Sequence, residues 1–68
     1  MATKKKYTTW NASGDLLCAS DELKDCVNAL TDADCIIIET GSTRGWRMKT
    51  WIPGKRFTLL DLEEIYLA

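Results

Sequence analysis

The chain contains no histidine and only one proline, and its three cysteines form no Cys-x-x-Cys motif. Histidine is the usual general base near neutral pH, so its absence removes the commonest acid–base catalyst. Three cysteines cannot all pair within one chain, which argues against a disulfide scaffold and for a cytoplasmic setting with reduced thiols. No apolar run approaches the roughly 20 residues that cross a bilayer, so no membrane is expected among the partners. The start, Met1-Ala2-Thr3-Lys4-Lys5-Lys6-Tyr7, is basic but has no apolar stretch behind it, so no export signal is expected. The sequon Asn11-Ala12-Ser13 is accordingly read as a turn.

Motifs for metals, phosphates and nucleophiles are also missing. Cys26 lies on a helical apolar stripe and Cys35 opens an isoleucine run, so both read as small buried hydrophobes. No histidine or activating base accompanies Cys18. Asp32 and Asp34 suit a turn but lack the glycine and further oxygen ligands of a calcium loop. Glu63 and Glu64 are adjacent, so on a helix they would not face each other. Gly41-Ser42-Thr43-Arg44-Gly45 lacks the Lys-Ser/Thr ending of a phosphate loop and joins strands. No catalytic residue, metal or cofactor is therefore assigned.

At 68 residues the chain has room for one core, and 46% hydrophobic with 28% charged residues suits a folded domain. Lys5 to Trp10 reads as a strand, Asn11-Ala12-Ser13-Gly14 as a turn, and Asp15 to Ala19 as the returning strand. Ser20 is a suitable helix cap, and Leu23, Cys26, Val27 and Leu30 form one stripe of a helix ending near Thr31. Cys35 to Thr40 is β-prone, and Trp46 to Ile52 returns from a loop at 41–45 and stops at Pro53-Gly54. Thr58 and Asp61 form a capping-box-like pair before Leu59, Leu62 and Ile65-Tyr66, which predicts a final helix. A strand over Phe57 to Leu60 is the alternative. The resulting order is β-β-α-β-β-α, a single α+β domain over 1–68 with an antiparallel sheet of two hairpins and a helix on one face.

A regular five-residue loop would set Thr40 opposite Trp46, Ile38 opposite Met48 and Ile36 opposite Thr50 on the inner face. The outer face would then carry Glu39 with Arg47, Ile37 with Lys49 and Cys35 with Trp51. Ile37 and Trp51 would need cover from the final helix, a second copy in a homodimer, or a partner.

The net charge of −1 hides a segregated pattern. Residues 1–14 carry +3, residues 15–39 carry −6, residues 40–60 carry +5 and residues 61–68 carry −3. Within the basic block, the stretch from Arg44 to Phe57 interleaves cations with aromatics. That composition suits protein-interface hot spots and single-stranded nucleic acid alike. Small size, absent chemistry and polarised charge resemble in type the accessory proteins by which bacteriophages bind and block host enzymes, although no motif is shared. The first expectation is thus a non-enzymatic protein-binding module, an inhibitor or adaptor, with Arg44, Arg47, Lys49, Trp51, Lys55 and Arg56 as partner contacts. The acidic helix face of Asp21, Glu22 and Asp25 is a second patch, suited to a basic partner. Lys4-Lys5-Lys6 would extend the basic surface if the first strand lies beside the second hairpin. The alternative is a nucleic-acid binder using the 44–57 hairpin, against which the pI of about 5.2 counts.

Overall fold

A computed structural model describes residues 4–67. The first three residues of the amino-terminal stretch read above, and Ala68, lie outside them. The elements run β1 (Tyr7–Trp10), β2 (Leu16–Ser20), α1 (Leu23–Asn28), β3 (Ile36–Glu39), β4 (Arg44–Met48), a 3-10 turn (Leu59–Asp61) and β5 (Leu62–Tyr66). Five strands form one antiparallel sheet in the order β2-β1-β3-β4-β5, with α1 against one face, so the α+β class holds. No helix among the described residues is long and apolar enough to cross a membrane.

The order follows from local signals. Asn11 Oδ1 accepts hydrogen bonds from the N–H groups of Ser13 (3.0 Å) and Asp15 (2.9 Å), and Gly14 takes a positive φ, so β1 turns into β2 as expected. β2 and β3 both run antiparallel to β1 and therefore parallel to each other. Such strands need a crossover, and the segment carrying α1 supplies it, which sets the helix on a sheet face. Cys26, Val27 and Leu30 are buried, as the stripe required. Thr9, fully buried, donates its hydroxyl to the Cys26 carbonyl at 2.9 Å and ties sheet to helix. Burial pushes the Cys26 thiol up from its ordinary value, which suits an inert core residue. The Asp32–Asp34 turn also forms, with Asp32 Oδ1 accepting from the Asp34 N–H at 2.8 Å.

Three expectations need correction. The helix is shorter than predicted, because Ser20 Oγ satisfies the Glu22 N–H (3.1 Å) while Glu22 itself is still extended. The predicted final helix is a 3-10 turn followed by β5. The capping box between Thr58 and Asp61 does form, but it closes only that turn. Strand pairing then wins, because β4 would otherwise expose its backbone polar groups along one side. As a strand, the segment sets Leu62 against Met48 and Glu63 against Arg47.

The third correction is the register of the second hairpin. Ile37 lies opposite Trp46 and Ile38 opposite Gly45, a slip of three residues from the expected pairing. An odd slip exchanges the two faces. Ile37 and Cys35 point into the core at 0% and 1% exposure, while Ile36 and Ile38 lie half-buried on the other side. Met48 is inward and Arg47 outward, as expected. The cause is at the turn. Gly41 adopts φ +78° and the Ser42 N–H reaches the Glu39 carbonyl (3.2 Å), so the chain reverses early. Gly45 is consequently a strand residue and not the end of a loop.

Candidate functional site

The six residues singled out in the basic arm divide into two groups. Arg44 and Arg47 are on β4 and point to opposite faces. Arg44 lies over the Trp46 ring (5.2 Å from its centroid), with its Nε 2.7 Å from Glu64. Arg47 meets Glu63 across the strands at 3.4 Å. Both cations thus face carboxylates of β5, a strand that sequence reading had taken for helix. Lys49, Trp51, Lys55 and Arg56 instead come together in the loop that leaves β4 and returns to β5.

This 49–61 loop closes on itself. The Lys49 N–H donates to the Asp61 carbonyl (3.0 Å) at its base, and the Lys55 N–H donates to the Ile52 carbonyl (3.2 Å) at its tip. Gly54 permits the tip with a positive φ. Inside the loop, Trp51 stacks on Phe57, with ring centroids 4.8 Å apart and 29° between planes, and both rest against the core. Trp51 is therefore an internal brace of the loop rather than the outward-facing contact expected beside Arg47.

Asp61 organises the base. Its carboxylate accepts from the Thr58 N–H (2.8 Å) and from Lys55 Nζ (3.3 Å). The Thr58 backbone bond, helped by Lys55, lowers its pKa from the usual aspartate value. A depressed folded-state pKa means that the carboxylate adds stability above the unfolded value, and that this is lost as pH falls through the folded one. Asp61→Asn is expected to be less stable than wild type at pH 7, with the gap closing below about pH 4. Urea midpoints across a pH series would check this, and a gap of constant size would contradict it.

What this clamp presents is apolar. Leu60, inside the 3-10 turn, is 87% exposed, and Leu59 and Ile52 are 49% and 48% exposed. Lys49 Nζ reaches the Leu60 carbonyl (3.5 Å), which sets a cation beside the leucines. Between α1 and the 3-10 turn runs a groove of about 520 Å³ lined by Lys24, Val27, Asn28, Arg56, Phe57, Thr58 and Leu59. Among the described residues Arg56 has no carboxylate within 4.0 Å. The loop is thus a fixed apolar projection ringed by Lys49, Lys55 and Arg56. Sequence reading found the cations but missed the leucines, because helical periodicity had assigned Leu59 to a buried stripe.

Within the 44–57 segment the aromatic faces that would stack bases are occupied, since Trp51 and Phe57 cover each other and Trp46 is buried with Tyr7 edge-on at 5.6 Å. Among the described residues no three of the cysteine, aspartate and glutamate side chains converge as metal ligands would. Comparison of the chain with protein-family models, with curated proteins and with solved structures finds no match in any of the three.

Proposed function

We propose that this protein is a non-enzymatic protein-binding module that engages its partner through the 49–61 loop. Leu60, Leu59 and Ile52 serve as apolar anchors, and Lys49, Lys55 and Arg56 form a cationic rim that selects an acidic surround. The observation that carries this reading is Leu60, a large apolar side chain held almost fully in solvent by a hydrogen-bonded clamp. Exposing a leucine costs the isolated protein the hydrophobic stabilisation of burying it, and a rigid mount avoids ordering entropy on binding. Interfaces are built this way, with a central apolar cluster inside a polar rim. Occlusion of the bound protein, as an inhibitor or adaptor would do, follows without any chemistry at the site.

Affinity capture from a lysate of the source organism tests the reading. Wild type should enrich a protein that Leu59→Ser/Leu60→Ser recovers at least tenfold less, while Arg44→Gln, at the opposite end of β4 from the loop, recovers it as wild type does. Equal recovery by the leucine variant would remove the loop from the interface. Steeply salt-dependent retention of a single-stranded oligonucleotide would favour the nucleic-acid alternative instead.

A further inference from the structure

A second surface, independent of the loop, lies on the sheet face that α1 leaves uncovered. Thr8, Trp10, Ile36, Ile38 and Ile65 are on it, half-buried by one another. At the end where β1 begins and β3 finishes, Lys4, Lys5, Thr8, Trp10, Ile38 and Thr40 line a groove of about 420 Å³. This is the opposite end of the sheet from the 49–61 loop, which leaves from the far end of β4. Because β1 pairs directly with β3, the amino-terminal lysines do reach the second hairpin, the condition on which their role depended.

We propose that this groove binds an acidic peptide segment of a protein partner. One aliphatic or aromatic side chain of that segment sits on Trp10 and Ile38, and neighbouring carboxylates meet Lys4 and Lys5. The floor offers only apolar contact. Trp10 Nε1–H already donates to Thr8 Oγ1 at 2.8 Å, which pins the ring and meets its one polar need, and the Thr40 hydroxyl is spent on the Lys5 carbonyl. The rim is positive. Among the described residues Lys4 has no carboxylate within 4.0 Å, and Lys5 reaches Asp21 only at 3.8 Å across an exposed gap. Glu63, on the same face, is engaged by Arg47 at the other end of the sheet. Asp21 is taken up by Lys5 and the Lys6 N–H, which leaves Lys4 as the groove cation without a carboxylate among the described residues, and an anionic segment complements it.

The same charges disfavour a second copy, because a two-fold axis at the groove would bring like lysines together. A free small molecule is also a poor occupant. Small-ligand sites enclose most of their ligand, whereas this groove lies open on a sheet face.

The test uses the full chain, labelled with nitrogen-15, and three ten-residue peptides. The first is built of Asp and Glu around one Leu and one Phe. The second replaces the Leu and Phe by Ser, and the third replaces the acids by Lys. The first peptide should shift the Trp10 indole N–H and the amides of Thr8, Ile38 and Thr40, and bind at least tenfold tighter than the other two. Lys4→Glu/Lys5→Glu should weaken it at least tenfold, as should Trp10→Ala, while Lys55→Glu/Arg56→Glu leaves it unchanged. Shifts confined to the 49–61 loop, equal binding by the lysine variant, or tighter binding of a single-stranded oligonucleotide at these residues would overturn the proposal. Loss of lysate capture in the loop variant bears only on the loop, so the two readings fail separately.

Discussion

Ile37→Ala is expected to lose about 2–5 kcal/mol of stability, whereas Ile38→Ala, one position along, loses only about 1 kcal/mol. Ile37 is wholly buried at the centre of the sheet, opposite Trp46 on one side and Thr9 on the other. Truncation there leaves a cavity that close-packed neighbours cannot collapse to fill. Ile38 is half-buried on the uncovered face, where water takes the place of the lost methyl groups. A single core in a chain this short rarely supplies more than about 3–5 kcal/mol, so the first variant should be largely unfolded at 25 °C. Urea denaturation followed by circular dichroism reads both. The opposite ranking would restore the three-residue-shifted hairpin and exchange the two faces of β3.

Gly45→Val carries the second-largest expected cost, about 1–3 kcal/mol from overpacking. A Cβ at this position would lie 2.9 Å from the Ile37 carbonyl oxygen and 3.3 Å from a Leu67 methyl group. The first of these is backbone and cannot turn aside, so β3 and β4 must separate and weaken their ladder. Gly41 behaves differently, since a Cβ there meets nothing and only its φ of +78° resists replacement. Thermal melts of Gly45→Val and Gly41→Ala distinguish the two costs, one steric and one conformational. A Gly45 variant as stable as wild type would show that the strands are not this close.

The two glycines explain why the hairpin was misread. In the sequence they bracket a polar stretch symmetrically, and a loop from one to the other is the natural inference. Nothing local says that one glycine turns the chain and the other admits a neighbouring strand. The carboxy-terminal segment was misread for a related reason. Thr58 and Asp61 carry a sound start signal, and that bond pattern forms, but the spacing of Leu59, Leu62 and Ile65 suits a helix, and Leu62-Glu63-Glu64-Ile65-Tyr66 carries no apolar–polar alternation to mark a strand. The choice fell to the open side of β4, whose hydrogen-bonding groups only a strand could satisfy.

The candidate site was legible in part. Charge segregation drew attention to the 40–60 block, and four of its six named residues do share one loop. The β5 carboxylates facing Arg44 and Arg47 were invisible because Glu64 and Glu63 lie sixteen or more positions along the chain, although Arg44 also lies 4.0 Å from Glu39 of β3. The groove floored by Trp10 and Ile38 was hidden by the same register error that placed Ile38 inside.

Sequence alone determined the elements whose signals are local: the β1–β2 turn with its Asn11 and Gly14, the apolar stripe of α1, the β-prone isoleucine run and the absence of histidine chemistry. Tertiary structure decided strand register, the fate of the last segment and which isoleucines are dry. These depend on pairing between distant residues, and a period-two side-chain pattern fits either face until a partner strand and a turn select one.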